Sequence, residues 1–198
     1  MSGFRRFIAS RGLLLAAELS IPYYALRAHQ LTSAGEGFGL FVVALGIAAL
    51  AGSPIWGRVS DRVSNRIVMA LGGVVGAVAA ALALSFGFLP NSVTSPALFA
   101  VVFLVVGFAR AGVRVGRKSY IVNAAPDDER PLYTAAANTI AGALMFVFIG
   151  FGVFAQVVGI GATLTVLLVL CLLGAASAWW MPKSDQMILS ERNVNESG

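Results

Sequence analysis

Four ionisable side chains lie within segments of the chain that are otherwise long and apolar. Arg11 and Glu18 share one such segment, and Arg110 and Arg114 share another. A charge near the centre of a lipid bilayer costs about 2.5–3.5 kcal/mol on insertion scales, so it requires an opposite charge, a water-filled cavity or a path to the surface. Together these groups have the chemistry to bind an anion or to carry a proton, and they form the candidate site.

The spacing of the four groups predicts how they face one another. Arg11 and Glu18 are seven residues apart, so they share one helix face. Arg110 and Arg114 are four apart and share another. With a rise of ~1.5 Å per residue, Glu18 lies ~16 Å and Arg110 ~15 Å from the inner membrane surface, and the other two lie at ~6 and ~9 Å. We therefore predict that Glu18 and Arg110 face one another or a shared cavity.

Two interpretations of these charges stay open. In the first, they form a site for an anionic solute, with Glu18 as its counter-ion or as a proton carrier. In the second, Glu18 and Arg110 form a fixed ion pair between helices, while Arg11 and Arg114 extend their charged ends towards the surface. The second interpretation suits Arg11 best, because it lies close to the membrane surface.

Two tyrosines and an asparagine extend the candidate site. Tyr23 and Tyr24 follow Pro22, which interrupts the first apolar segment. Proline can kink a membrane-spanning helix, so the tyrosines are candidates for gating or for contact with a solute; an aromatic belt at the outer surface is the alternative. Asn138 lies in the fifth apolar segment, and we expect it to point into the bundle, where a hydrogen bond between helices is its simpler role.

The composition indicates a membrane protein. Of 198 residues, 58% are hydrophobic and 12% are charged, and the mean hydropathy is +0.84; soluble domains contain about 25% charged residues. A spanning helix needs ~20 mostly apolar residues. The sequence predicts an all-α membrane domain over residues 1–182 and a polar cytoplasmic tail over 183–198. Six transmembrane helices are predicted at about 7–28, 38–57, 67–89, 97–121, 133–158 and 161–181.

The basic residues predict the orientation of these helices. The net charge is +5, which in a soluble protein would suggest binding to nucleic acid. Here the positive charges are concentrated at the termini and in every second connector between helices, so no nucleic-acid partner is expected. Lys and Arg accumulate in cytoplasmic loops, so both termini are expected in the cytoplasm. The residues on that side are Arg5, Arg6, Arg58, Arg62, Arg66, Arg117, Lys118, Arg130, Lys183 and Arg192, whereas Arg27 stands alone, with His29 nearby, on the other side.

One connector carries a recognisable pattern. Residues 57–69 are GRVSDRVSNRIVM, between the second and third predicted helices. This stretch resembles the signature loop of major facilitator superfamily transporters. Gly57, Asp61, Arg62 and Arg66 fall on the positions of that motif. Ser64 stands where glycine is usual and Asn65 where a basic residue is usual. A second region, from Arg110 to Thr139, looks like a connector of the C-terminal half of such transporters.

The resemblance implies a fold and an activity. It suggests one six-helix half of a transporter, arranged as two inverted triplets of helices. The implied activity is secondary transport of a small solute by alternating access, as symport or antiport and with possible proton coupling, in the cytoplasmic (inner) membrane. It also implies that Asp61 contacts the N-terminal end of a facing helix as a latch and that Arg62 and Arg66 pair with acids.

A chain of six helices is half of what such a transporter requires. It is expected to act as a homodimer or with a separately encoded half, and the alternative is a non-transporting membrane subunit or a truncated half. An enzyme is not expected, because GxSxG and HExxH patterns are absent and His29 is the single histidine. No cofactor or metal is expected, and the predicted partners are the lipid bilayer, the solute and a second bundle.

Overall fold

The computed structural model describes residues 2–31, 37–89, 95–124 and 130–181, and every regular element in these ranges is helical. The predicted polar tail, 183–198, lies outside the described residues. A short 3₁₀ turn, Phe86–Phe88, follows the fourth helix. The helices are α1 (Ser2–Leu19), α2 (Ile21–Leu31), α3 (Phe38–Arg62), α4 (Asn65–Ser85), α5 (Pro96–Ala124), α6 (Arg130–Val158) and α7 (Ile160–Trp179).

Five of these helices, α3 to α7, are long and apolar enough to cross a membrane. The prediction of an all-α membrane protein is thus confirmed, while α1 and α2 fall outside this set of five. The first predicted span, 7–28, is broken at Ser20. Pro22 explains the break, because it has no N–H to donate to the carbonyl group of Glu18 and its ring crowds that carbonyl. The carbonyl of Ser20 instead accepts hydrogen bonds from the N–H groups of Tyr23 and Tyr24.

The two pieces of the broken segment lie along the same neighbours. Both α1 and α2 pack against α7 and α5, and α1 also contacts α6. The hydroxyl groups of Ser10 and Ser177 lie 2.8 Å apart and join α1 to α7 by a hydrogen bond. The broken segment is therefore held in the bundle over both of its parts.

The centre of the bundle is formed by α4 and α5, which approach closely at glycine positions. A Cβ atom at Gly72 would lie 2.8 Å from the backbone nitrogen of Val113, and one at Gly116 would lie 2.8 Å from that of Met69. Gly76 and Gly112 also face other helices of the same chain. Small residues at this spacing allow close helix contact in lipid, and here the contact is made within the chain.

Helices α3 and α6 form the least buried part of the bundle. In α6 the buried residues are Ala137, Ala141 and Ala155, and its large apolar side chains, such as Phe146 and Val157, are exposed. In α3 one face packs on α5, where the indole N–H of Trp56 donates to the carbonyl oxygen of Phe108 at 2.9 Å. Both helices thus present broad apolar faces to the surroundings of the bundle.

We expect Gly72→Ala to destabilise the bundle, because the added methyl group meets backbone atoms of α5 that cannot rotate away. Overpacking of this kind costs about 1–3 kcal/mol. The matched control is Gly150→Ala in α6, where nothing lies within 4 Å of the added atom and alanine favours the helix. Thermal unfolding in detergent micelles measures both variants. Equal melting temperatures for the two variants would contradict the close contact between α4 and α5.

Candidate functional site

The candidate site lies where α1 packs antiparallel to α5. Near the start of α1, the rings of Phe7 and Tyr120 stack with centroids 5.1 Å apart and planes 9° from parallel. Leu14 and Val113 belong to the same buried apolar cluster as these rings. This contact sets the register of the two helices, so that the polar face of α1 lies against the arginine-bearing face of α5.

The ion pair of the site joins Glu18 to Arg117. The Arg117 Nη1 and Glu18 Oε1 atoms lie 3.3 Å apart, and the two side chains are 18% and 15% exposed. Arg117 is therefore the ion-pair partner of Glu18, whereas the sequence had pointed to Arg110. Arg110 lies at the backbone depth of Glu18, but depth along the helix does not include the direction of the side chains.

The direction of the side chains explains the difference. Side chains on a helix lean towards its N-terminus. Because α1 and α5 run in opposite directions, Glu18 and Arg117 lean towards each other, and together they bridge a difference in backbone depth of roughly 12 Å. Arg110 leans in the same direction as Arg117, but it starts at the depth of Glu18 and therefore leans away from that carboxylate, although Glu18 still acts on it through its charge.

Arg11 is the most deeply buried of the charged groups, at 6% exposure. Its Nη2 atom donates a hydrogen bond to Oδ1 of Asn138 in α6 at 2.7 Å. Its Nε and Nη1 atoms are buried and meet no acceptor among the described residues. Asn138 is itself an exposed residue of α6, so its carboxamide reaches inwards from the surface of the bundle to hold Arg11.

Helices α1 and α5 thus bring four guanidinium groups and one carboxylate, Glu18, into one region, and we call the four groups the arginine cluster: Arg11, Arg110, Arg114 and Arg117. Arg110 is partly exposed and its Nε atom is buried with no acceptor in the described part of the chain. Arg114 is exposed. Glu18 acts through its charge on Arg11 and on Arg110 as well as on its direct partner. The cluster has the chemistry of an anion-binding site.

The predicted tyrosines lie in the apolar packing. Tyr24 is 1% exposed and belongs to the main core cluster together with Ala28 and Leu164, and Tyr23 is partly buried against the same cluster. The side chain of Tyr24 also forms a hydrogen bond with that of Ser20, at the helix break. Tyr24 therefore anchors α2 to the core, so it is a packing residue in this arrangement.

The loop motif lies at the junction of α3 and α4. Gly57 has open space around its Cα, and Asp61 and Arg62 are exposed. Asp61 makes no ion pair with any residue in the described ranges. Arg66 donates from Nη1 to the carbonyl oxygen of Met181, just beyond α7, at 2.6 Å. Arg66 therefore binds a backbone carbonyl, where the resemblance had implied an acid.

Arg117 is the residue of the site that sequence reasoning missed, since it was counted among the basic residues of a connector. The signal that would have found it is its spacing: Arg110 and Arg117 are seven residues apart, as Arg11 and Glu18 are, so each pair returns to one helix face. No group of three or more potential metal ligands occurs among the described residues.

The fold and the site define a multi-pass helical membrane protein with ionisable groups between two of its helices. The profile of the Major Facilitator Superfamily matches residues 7–195. The chain belongs to this superfamily and is a membrane transporter of that class. Comparison with curated proteins gives no match, and comparison with solved structures gives none.

We expect Glu18→Gln and Arg117→Gln each to destabilise the protein, and the double variant to recover much of the loss, because a single change leaves one charge unpaired. Coupling energies for groups in direct contact are about 0.5–3 kcal/mol. A double-mutant cycle on thermal unfolding in nanodiscs measures the coupling. The control is Lys118→Gln, an exposed neighbour of Arg117. A stronger coupling of Glu18 with Arg110 than with Arg117 would overturn the assigned pair.

Proposed function

We propose that this chain is one six-helix half of a secondary active transporter that moves a small anionic solute across the membrane by alternating access. The observation that carries the proposal is the arginine cluster. Arg117 pairs with Glu18, Arg11 and Arg110 lie within the electrostatic range of the same carboxylate, and Arg114 acts through its charge on Arg110. Charged groups inside a membrane bundle mark solute and proton pathways. An excess of guanidinium groups favours an anion, because planar guanidinium binds carboxylate and phosphate groups well.

The proposed six-span layout treats α1 and α2 as one broken span. Both pieces lie along α5 and α7, which supports their crossing the membrane together. Six spans then divide into two triplets of opposite sense, as in each half of such transporters. With this layout and the distribution of basic residues, both termini face the cytoplasm and the protein resides in the cytoplasmic membrane.

A second bundle is needed to enclose the site. Arg114 is exposed on the surface of α5, within a helix long enough to span the bilayer. A guanidinium group that faces lipid at such a position costs free energy. A second bundle packed against this surface would shield Arg114 from lipid and place it at a water-filled cavity between the two bundles. The exposed apolar faces of α3 and α6 are suited to that contact. We propose a parallel homodimer, or a separately encoded half in its place.

Asp61 supports the same arrangement. It is exposed at the end of α3 and has no ion-pair partner in the described part of the chain. As a latch, its carboxylate would bind the positive N-terminal end of a helix in the second bundle, an interaction of about 0.3–1 kcal/mol when exposed. Gly57 and Arg62 complete the motif on the same helix, while Arg66 ties the start of α4 to the end of α7.

Glu18 is the proposed site of proton coupling. Protonation of its carboxylate removes the charge that holds Arg117 and leaves that guanidinium group available to an anion. The second candidate role is a non-transporting membrane subunit, and the close pair of Glu18 with Arg117 favours it in one respect, because a fixed ion pair between helices needs no solute to explain it.

We expect the purified chain, reconstituted in liposomes, to take up anions, and Arg110→Gln to reduce the uptake at least tenfold, because this change removes a positive charge from the cluster. Lys118→Gln is the control, since Lys118 is an exposed charge outside the arginine cluster and the loop motif. Solid-supported membrane electrophysiology measures uptake and its dependence on a proton gradient. Glu18→Gln is expected to abolish the proton dependence.

Two outcomes would contradict the proposal. Anion uptake by Arg110→Gln at the wild-type rate would remove the arginine cluster as the anion site. A chain that is strictly monomeric in nanodiscs and takes up no anion in liposomes would contradict transport by this chain and favour the non-transporting subunit. Retained proton dependence in Glu18→Gln would remove the role of that carboxylate alone.

We expect Asp61→Asn to weaken the pairing of two bundles by about two- to fivefold, since the contact of the carboxylate with a helix end is worth roughly 0.3–1 kcal/mol. Single-molecule photobleaching in bilayers measures the dimer fraction as a function of protein density. The control is Lys118→Gln, which alters an exposed charge outside the loop motif. An unchanged dimer fraction in Asp61→Asn would argue against the latch.

A further inference from the structure

We propose that the arginine cluster binds an oxyanion that carries two negative charges, and that Arg11 and Arg110 are the residues that recognise it. The inference rests on the proposed transport function and adds the charge class of the solute and the groups that contact it. The shared chemistry is a phosphate group or a pair of carboxylates, each of which presents charged oxygen atoms to more than one guanidinium group.

Arg11 supplies the first part of the argument, because it has unused donors in a buried position. A guanidinium group has five N–H donors, and the protein uses the Nη2 atom for Asn138 at 2.7 Å. The Nε and Nη1 atoms are buried without an acceptor in the described ranges, in a residue that is 6% exposed. A buried donor that stays unpaired costs about 1–3 kcal/mol, and more when it is charged. An oxyanion at this position satisfies these donors.

Arg110 supplies the second part from the facing helix. Its Nε atom is also buried with no acceptor among the described residues. Glu18 acts through its charge on both Arg11 and Arg110, so both guanidinium groups lie within the electrostatic range of one carboxylate. Arg117 is occupied by that carboxylate. Of the three other arginines, Arg114 is exposed, whereas Arg11 and Arg110 have buried donors without an acceptor in the described ranges. These two groups on two helices suit a ligand with two charged ends or one doubly charged group.

The charge balance of the region supplies the third part. Among the described residues the acidic side chains are Glu18 and Asp61, and Asp61 lies exposed at the end of α3. Asn138 of α6 and Ser177 of α7, which form hydrogen bonds with side chains of α1, are both uncharged. A singly charged ligand leaves most of the excess positive charge of the arginine cluster uncompensated. A doubly charged ligand of similar size neutralises more of that charge.

The test is direct binding to the purified chain in lipid nanodiscs at constant ionic strength. Three probes are titrated at about pH 8, where phosphate carries close to two charges: inorganic phosphate, succinate and acetate. We expect phosphate, succinate or both to raise the melting temperature and to bind at least tenfold more tightly than acetate. Binding of phosphate alone identifies a phosphate group as the ligand chemistry, and binding of succinate alone identifies a dicarboxylate.

Variants assign the binding to the two arginines. Arg110→Gln is expected to weaken binding of the doubly charged probe at least tenfold and to affect acetate less. Arg11→Lys keeps the charge but removes the planar set of donors. It is expected to weaken binding of the same probe while preserving the fold. Glu18→Gln is expected to tighten binding, because it removes a like charge. Arg58→Gln is the matched control and is expected to bind as the wild type.

The inference is overturned if acetate binds as tightly as phosphate and succinate, or if Arg110→Gln and Arg11→Lys both retain the wild-type affinity. Its failure is distinguishable from that of the transport proposal. Uptake of a singly charged anion that depends on Arg110, without binding of either doubly charged probe, leaves the transport proposal intact and removes this inference. The absence of both binding and uptake for every anion removes both.

Discussion

The positive charge held inside an apolar bundle is the constraint on which this structure depends. Guanidinium groups in the middle of membrane-spanning helices require compensation from the same bundle, from a ligand or from water. In the described part of the chain, the carboxylate of Glu18 and the amide of Asn138 each hold one arginine of the arginine cluster. The stacked rings of Phe7 and Tyr120 fix the helices that carry these groups, so packing and electrostatics determine the same register.

Other helix contacts hold α1 and α5 in this relative position. The close contact of α4 with α5 at Gly72 and Gly116 places α5 firmly in the centre of the bundle. The contact of α1 with α7, including the bond between Ser10 and Ser177, holds the opposite side of α1. In contrast, α6 has few buried residues, and its polar link to α1 is the bond from Arg11 to Asn138. A group that binds Arg11 thus acts directly on the least buried helix, which connects the candidate site to that part of the bundle.

The family assignment and the all-helical membrane fold followed from the sequence, because both depend on features that lie close together along the chain. The helix break at Ser20 could be traced to Pro22 in hindsight, yet a proline in a membrane span produces either a kink or an interruption, and the neighbouring contacts decide between them. Tyr24 looked like a residue of a cavity, but it packs in the core, since its orientation depends on how α2 rests on α7. Asp61 is exposed, and no residue in the described part of the chain forms an ion pair with its carboxylate.

By itself the sequence determined that this chain is a helical membrane protein of the major facilitator superfamily and that Arg11, Glu18, Arg110 and Arg114 need compensation. Only the tertiary structure decided which of these charges meet. Helical periodicity and hydropathy assign a residue to a face and a depth on its own helix, but the partner across an interface depends on the directions of two helices and of their side chains. For that reason the carboxylate of Glu18 reaches Arg117, two turns along α5 from the residue that lies at its own depth.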